Sequence, residues 1–123
     1  QALKGERITI YGDGSQTRSF CYVDDLVDVI IRFMATDNGF PGPVNIGNPI
    51  EMTIQQMAEK ILQATNSHSK IVYAPLPEDD PKVRQPNIKK AKKHLNWEPQ
   101  VELDEGLKTT IEYFREQLNV KKT

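Results

Sequence analysis

The stretch that decides how this chain folds runs from Tyr11 to Asp25 and reads YGDGSQTRSFCYVDD. The apolar run Ile8–Tyr11 predicts a short strand, and two glycines then end it, because glycine tolerates the positive φ of a tight turn. Hydroxyl, amide and guanidinium donors follow the turn, and together they suit an anion. This pattern favours a phosphate-bearing ligand. Because glycine turns between a strand and a helix are common, a purely structural turn stays open as the alternative.

Length and composition narrow the class of protein. The 123 residues fit one domain with a modest core, and a net charge of −1 gives no electrostatic reason to expect nucleic acid or an anionic membrane. A single cysteine, Cys21, excludes an internal disulfide and suits a reducing cytoplasm. No signal peptide is visible, and no apolar run approaches the roughly 18 residues of a membrane span. Because Gln1–Gly5 reads like the last turn of a helix and lacks an initiating Met, we expect a piece of a longer protein.

Hydrophobic spacing predicts a helix-rich α/β fold with three or four short strands, too few for a doubly wound sheet. Asp24, Thr53 (with Gln56 in a capping box) and Asn87 are predicted to cap helices. A proline-rich irregular segment, residues 75–86, is long for so small a domain and is therefore a functional candidate. The predicted helices are 24–36, 54–65, 88–95 and 103–118, and the predicted strands are 8–11, 44–46 and 70–74. The predicted core residues of the first and last helices are Leu26, Val27, Ile30, Ile31 and Met34, and Leu103, Leu107, Ile111, Phe114 and Leu118.

Candidates for catalysis are scarce in this sequence. His68 and His94 lie in polar surroundings that are typical of surface histidines, and Cys21 has no nearby base and is predicted to be a buried structural thiol. No ligand set has metal-binding spacing. The pair Asp79-Asp80 is predicted to bind an arginine or to cap a turn. The chain alone is therefore expected to bind a ligand and not to catalyse.

Two arginines carry the binding hypothesis. Guanidinium groups hold phosphate bidentately, so Arg18 and Arg84 together match the two charges of a diphosphate. Asn45 and Asn48 could reach the same site, although a role in turn geometry is the favoured alternative for both. Four lysines between positions 89 and 93 lack interleaved aromatic residues, which favours a solvated helix face over a nucleic-acid patch.

Four motifs, in this order, resemble the substrate domain of extended short-chain dehydrogenases that act on nucleotide sugars. They are IYGDGSQTRSFCYVDDL at 10–26, PVNIGNP at 43–49, DDPKVRQPNI at 79–88, and AK followed by LNWEP within 91–99. Within that superfamily the chain is most similar to the UDP-glucuronate decarboxylases (UDP-xylose synthases). The dTDP-glucose 4,6-dehydratases and UDP-sugar 4-epimerases share the same skeleton and stay open, as does a non-catalytic nucleotide-sugar-binding module. Asn87 replaces the family's usual aspartate cap and Asn96 its usual glycine, and asparagine can serve in both conformations.

The resemblance implies six substrate-binding residues and no catalytic residue or metal ligand in this chain. The arginines after the glycine turn and in the proline-rich segment would grip the nucleotide diphosphate. The tyrosine at the strand end, with the threonine nearby, would lie beside the base or ribose. The glutamine would lie near the sugar or phosphates, and the asparagine would contact the nucleotide. These residues are Thr9, Tyr11, Gln16, Arg18, Asn45 and Arg84.

The resemblance also implies what lies outside this sequence. Family members carry an N-terminal Rossmann domain that binds NAD and holds a Tyr-x-x-x-Lys pair, and residues 1–123 would be the C-terminal nucleotide-sugar-binding domain, inactive by itself. The implied reaction oxidises UDP-glucuronate at C4, decarboxylates the β-keto acid and returns the hydride to give UDP-xylose. The complete enzyme is expected to be a cytoplasmic homodimer that does not bind nucleic acid. Membrane association through an absent N-terminal region stays open.

Overall fold

The computed structural model of the chain describes residues 1–37, 40 and 42–119. After a 3-10 turn at Ala2–Lys4, its strands are β1 (Ile8–Tyr11), β2 (Thr17–Ser19), β3 (Glu51–Thr53) and β4 (Ile71–Ala74), and its helices are α1 (Val23–Met34), α2 (Ile54–Thr65), α3 (Lys89–Leu95) and α4 (Leu103–Gln117). This is the predicted class, a small helix-rich α/β unit with a few short strands.

The four strands form two separate pairs within the described residues. β1 and β4 run parallel, with Ile8 opposite Ile71 and Tyr11 opposite Ala74. β2 and β3 run antiparallel, with Thr17 opposite Thr53. Helix α2 follows β3 directly, leads into β4 and packs against β1 and α4. The glycine turn and β2 therefore lie where the two pairs meet α2.

The main core cluster joins α1 to α3 and to the segment after α3. Its fully or nearly buried members are Val29, Ile88, Ala91, Leu95 and Trp97, against which Phe40, Val44 and Ile46 pack. Local signals place this cluster well, because Ile88, Ala91 and Leu95, which the helical spacing over 88–95 predicts to face inward, are all buried. Within the part of the chain that the structure describes, no helix combines the length and apolar content needed to cross a bilayer.

Local capping signals were read correctly at two helix ends, at Thr53 and Asn96, and missed the cap by one residue at a third. Thr53 Oγ1 accepts a hydrogen bond from the Gln56 backbone N–H at 3.1 Å, and Gln56 Oε1 accepts the Thr53 N–H at 3.0 Å, so the capping box is confirmed. Asn87 Oδ1 accepts the Lys89 N–H at 3.1 Å, but the helix begins at Lys89 and its N-cap residue is Ile88, so the prediction that Asn87 caps this helix is wrong by one residue. Asn96 ends that helix in the left-handed conformation with φ 47°, as its replacement of glycine requires.

Several predictions about elements are wrong. Helix α1 begins at Val23, so Asp24 lies in the first turn and is not the cap. Residues 44–46 form no strand, because no partner strand lies beside them in the described chain. The pairing of β2 with β3 was not predicted. At the end of α4, Phe114 and Leu118 are exposed. The predicted turn at 38–43 falls largely outside the described residues.

Helix α1 turns its predicted core face outward. Four of its five predicted core residues, Val27, Ile30, Ile31 and Met34, are exposed, and together with Val23 they form a stripe at helical spacing whose exposed fractions lie between 47% and 78%. The fifth, Leu26, is half-buried. The buried residues of this helix are Asp25 and Val29, on the opposite side. The periodicity was read correctly, but the assignment of that stripe to the core of this chain was wrong. We call the exposed set of Val23, Val27, Ile30, Ile31 and Met34 the α1 apolar stripe.

Asp25 anchors α1 to the segment before α4. Its carboxylate is only 6% exposed. Oδ1 accepts the Gln100 backbone N–H at 3.1 Å, and Oδ2 accepts the Val101 N–H at 3.0 Å. A carboxylate with two acceptor oxygens is the side chain that satisfies two neighbouring backbone donors at once. Asp25 therefore fixes where the chain passes between α3 and α4.

Candidate functional site

The glycine turn is a structural corner. Gly12 and Gly14 have φ values of 78° and 79°, which favour glycine. The Gly14 carbonyl accepts the Gln55 N–H of α2 at 3.1 Å, and Asp13 Oδ1 accepts both the Ser15 N–H at 2.9 Å and the Ser15 hydroxyl at 2.6 Å. These hydrogen bonds lower the pKa of the Asp13 carboxyl. The turn's own carboxylate thus accepts from both Ser15 donors, which gives Asp13 and Ser15 a structural role, and ligand binding by this stretch stays a prediction.

Gln16 closes the same corner. Its side chain is buried, and Nε2 donates to the Tyr11 carbonyl at 2.6 Å. The Gln16 carbonyl in turn accepts the Ile54 N–H at the start of α2 at 3.1 Å. These contacts orient the strand that follows the turn, β2, toward the proline-rich segment.

The backbone of the proline-rich segment lies along β2. The Thr17 N–H donates to the Lys82 carbonyl at 2.8 Å, and the Ser19 hydroxyl donates to the Arg84 carbonyl at 3.1 Å. Alternate residues of one short strand thus hold alternate residues of the segment. Because Arg84 is one of the residues held in this way, β2 determines the position of the Arg84 backbone.

Arg18 lies between these two contacts and binds the same segment with its side chain. Nη1 donates to the Thr17 carbonyl at 2.7 Å and to the Pro81 carbonyl at 2.8 Å. Nη2 forms an ion pair with the Asp80 carboxylate. The prediction that Asp79-Asp80 binds an arginine is confirmed, and the arginine is Arg18.

A third segment, residues 44–50, closes against the proline-rich one. Gly47 is buried with φ 148°, and a Cβ at this position would come within 3.1 Å of Pro86 Cγ. Gln85 Nε2 donates to the Pro49 carbonyl at 2.8 Å. A side chain here would strain the backbone at this φ and require Pro86 to shift by a few tenths of an ångström, so glycine favours the close approach of the two segments.

The three segments enclose an open cleft of about 760 Å³. Three of the six predicted residues, Arg18, Asn45 and Arg84, line it, whereas the other three do not. In the described part of the chain the Arg84 guanidinium has no protein partner, so it is available to a ligand. The remaining lining residues are Ser19, Cys21, Leu26, Val44, Ile46, Gly47, Gln85 and Pro86.

The other predicted residues lie on β1 or in the glycine turn. Thr9 is half-buried and Tyr11 is exposed at the end of that strand, so neither reaches the cleft just described. Sequence reasoning missed Ser19 and Gln85 as lining residues. A signal for Ser19 would have been its place beside Arg18 in a strand, but β2 is recognisable only from its pairing with β3. The positions of Gln85 and Asp80 depend on an irregular segment and had no such signal.

A second cavity, of about 410 Å³, lies beside Trp97. Its charged groups neutralise each other in pairs, Arg32 with Asp28 at 3.0 Å and Lys92 with Glu98 at 2.5 Å. It therefore offers little net charge to an anion. Among the described residues, no group of three or more His, Cys, Asp or Glu side chains could hold a metal ion. Both His68 and His94 are exposed, as predicted.

Cys21 is half-buried in the cleft and is not the fully buried thiol that was expected. Burial raises the pKa of the Cys21 thiol, and the neighbouring Asp25 carboxylate raises that pKa further. The thiolate, which is the reactive form, is therefore scarcer at neutral pH than in an ordinary cysteine.

Alkylation of Cys21 is accordingly expected to be slow near neutral pH. The rate of iodoacetamide labelling, followed by peptide mass spectrometry, should be lower than that of the same peptide in unfolded protein. It should continue to rise with pH beyond the range in which the unfolded thiol levels off, because the folded pKa is the higher one. Equal rates in folded and unfolded protein would contradict this assignment.

Comparison with known proteins agrees with this geometry. The family model described as GDP-mannose 4,6 dehydratase matches residues 1–110. UDP-glucuronic acid decarboxylase 1 of Danio rerio is 49% identical over 118 residues, which cover 96% of this chain and 28% of that protein. UDP-glucuronic acid decarboxylase 3 of Arabidopsis thaliana is 48% identical over 120 residues, 98% of this chain and 34% of that protein. The chain thus spans about a third of the length of these curated relatives.

Solved structures match nearly the whole chain. The UDP-glucose 4-epimerase of Thermotoga maritima with UDP-glucose has a TM-score of 0.88 and 38% identity, over 95% of this chain and 37% of that one. The UDP-glucuronic acid 4-epimerase of Bacillus cereus, in complex with UDP-glucuronic acid and NAD, has a TM-score of 0.87 and 27% identity, over 94% of this chain and 37% of that one.

Proposed function

Because the chain belongs to the GDP-mannose 4,6 dehydratase family, we propose that it is the nucleotide-sugar-binding part of a longer, NAD-dependent UDP-glucuronate decarboxylase. The observation that carries this proposal is the convergence of Arg18, Arg84 and Asn45 on one open cleft. Two guanidinium groups on one cleft match the two charges of a diphosphate. The names of relatives that are 42% to 49% identical support the choice of UDP-glucuronate.

The role of this chain in the reaction is to bind and orient the substrate. Arg84, which is unpaired in the described part of the chain, would meet the diphosphate directly. Arg18 would meet it while also holding the proline-rich segment. Asn45 offers an amide donor and an acceptor at the edge of the same cleft. Holding the diphosphate at these points places the sugar against the part of the enzyme that carries the chemistry.

NAD is proposed to bind outside this chain. The glycine turn here does not fit a dinucleotide, because the Ser15 donors are used by Asp13 and the turn is docked on α2. When bound, NAD supplies the acceptor and later the donor of the hydride at sugar C4. The α1 apolar stripe is consistent with a longer enzyme, since an exposed apolar face of this size is typical of an interface. We propose that the remainder of the enzyme covers it.

The complete enzyme is further proposed to be a cytoplasmic homodimer that does not bind nucleic acid. The lysines of α3 support the last point. Lys90 Nζ donates to the Pro43 carbonyl at 3.0 Å, and Lys92 pairs with Glu98. Two of the four lysines are thus engaged with the protein itself.

The proposal is tested by incubating the full-length protein with UDP-glucuronate and NAD. We expect UDP-xylose and an equal amount of CO₂. A second candidate is a UDP-sugar 4-epimerase, favoured by the 38% identical Thermotoga maritima structure. Formation of UDP-galacturonate without CO₂ would support that candidate and sink the decarboxylase assignment. Failure to bind any UDP-sugar, shown by calorimetry, would sink both. Binding without turnover would support the non-catalytic module.

A further inference from the structure

We propose that Asp80 is a positioning residue for nucleotide-sugar binding, which it serves by holding Arg18 and the segment that carries Arg84. This inference rests on the proposed function, because it assigns the two arginines to one diphosphate. It goes beyond that function by giving a carboxylate, which repels phosphate, a favourable role in the same site.

The first step of the argument is the hydrogen-bonding capacity of Arg18. A guanidinium carries five N–H donors. Nη1 uses two of them on the Thr17 and Pro81 carbonyls, and Nη2 uses one on Asp80. Nε–H and the second Nη2–H stay available to a ligand. The three protein acceptors fix the plane of the guanidinium, and a fixed plane is what bidentate recognition of phosphate needs.

The second step concerns burial. The side chains of Arg18 and Asp80 are 19% and 28% exposed. Partial burial weakens screening by solvent and salt, so this pair interacts more strongly than a fully exposed one. Of the three acceptors, Asp80 is the one that carries charge, and charge-assisted hydrogen bonds are the stronger kind. Asp80 is therefore expected to contribute most to the orientation of Arg18.

The third step connects Asp80 to Arg84. The two residues lie four positions apart in a segment without regular secondary structure. Such a segment is held by its contacts, and on the side of β2 these are the Arg18 contacts and the backbone bonds at Lys82 and Arg84. Loss of the ion pair between Arg18 and Asp80 would release the part of the proline-rich segment at which its contacts with β2 begin. The spacing of the two arginines across the cleft would then vary.

Asp80 also repels the diphosphate, and the two effects have opposite signs. Repulsion alone predicts that neutralising Asp80 tightens binding, whereas positioning predicts that it weakens binding. Because Nη1 and Nη2 are both engaged by the loop that contains Asp80, we infer that positioning is the larger effect.

The test is Asp80→Asn in the full-length enzyme, with UDP-glucuronate as the ligand. We expect the KM and the calorimetric Kd for UDP-glucuronate to rise about fivefold to tenfold. The affinity falls because Arg18 loses the charge-assisted hydrogen bond that orients its guanidinium. The kcat, the affinity for NAD and the melting temperature should stay close to those of the parent. Asp80→Glu should recover part of the affinity, because it keeps the charge.

Asp79→Asn is the matched control. Asp79 is the adjacent residue, is exposed, and has φ 66°, a conformation that asparagine also tolerates. The Asp79→Asn variant removes the same charge from the same segment, but Asp79 does not contact Arg18. The KM of this variant for UDP-glucuronate should therefore match that of the parent. A double variant, Arg18→Ala with Asp80→Asn, should bind no more weakly than Arg18→Ala alone if Asp80 acts through Arg18.

An unchanged or lower Kd for Asp80→Asn would overturn the inference, as would an equal effect of Asp79→Asn. Additive losses in the double variant would also overturn it. These failures differ from failure of the proposed function. If Arg84→Ala weakens UDP-glucuronate binding but Asp80→Asn does not, only the role of Asp80 is wrong. If Arg84→Ala has no effect on that binding, the proposed site itself is wrong.

Discussion

Replacing Arg84 by alanine in the full-length enzyme is expected to weaken UDP-glucuronate binding by about 100-fold, as removal of a charged hydrogen-bonding group costs roughly 2–3 kcal/mol. The Arg84 side chain is exposed and unpaired in the described part of the chain, so its loss should barely change stability. The affinity for NAD should be unchanged, because NAD is proposed to bind elsewhere. Calorimetric titration with each ligand measures the two affinities separately.

Lys82→Ala is the control for Arg84→Ala. Lys82 is two residues away in the same segment, is exposed and does not line the cleft. It removes one positive charge but should change UDP-glucuronate affinity by no more than about twofold, as expected for an exposed, salt-screened charge. Equal losses in the two variants would show that general electrostatic attraction, and not contact with Arg84, determines binding. Equal loss of UDP-glucuronate and NAD affinity in Arg84→Ala would show general damage to the fold.

Asp25→Asn is expected to destabilise the packing of α1 against the segment before α4 by about 3 kcal/mol, since a partly buried backbone donor loses its charged acceptor. The amide has the same shape as the carboxylate but only one acceptor oxygen. Its NH₂ group would therefore face either the Gln100 or the Val101 N–H. Hydrogen exchange of these two amides, measured by mass spectrometry, should become about 100-fold faster, which is the same free energy expressed as an opening equilibrium.

The matched control for that variant is Asp24→Asn. Asp24 is the preceding residue, lies in the same helical turn and is exposed. The Asp24→Asn variant should lose only the favourable interaction of this carboxylate with the helix dipole, about 0.5 kcal/mol. If Asp24→Asn accelerated exchange at Gln100 and Val101 as much as Asp25→Asn, the assignment of the two hydrogen bonds would be wrong.

Sequence reasoning succeeded where the signals are local. β1, the capping box of α2 and the asparagine at the end of α3 depend on residues within one turn of each other, and all were predicted. β2 and β3 were missed because each has only three residues, and what makes them strands is pairing between residues 32 to 36 positions apart. The strand predicted at 44–46 failed for the opposite reason. Its composition suits a strand, but a strand requires a neighbour, and the described chain provides none.

The candidate site divides in the same way. Arg18, Asn45 and Arg84 were identified as ligand-binding candidates, and the structure places them on one cleft. The glycine turn was expected to present donors to an anion; of these donors, Ser15 is engaged by Asp13, whereas Arg18 lines the cleft. The ion pair of Arg18 with Asp80 was predicted only in part, since Asp79-Asp80 was expected to bind an arginine that was not identified. Which arginine it is depends on tertiary structure. Periodicity likewise revealed the α1 apolar stripe but could not tell whether the covering element lies inside this chain.

The contacts that hold Arg18 and Ser19 to the proline-rich segment join residues 62 to 65 positions apart in sequence, a separation that matches the parallel pairing of Ile8 with Ile71. Closing a loop of this length lowers the conformational entropy of the chain before any contact stabilises the loop, so such pairings tend to form late in folding. During synthesis, a nascent chain that ends before Pro81 has Arg18 but none of its partners in that segment. The cleft can therefore form only after the proline-rich segment has left the ribosome.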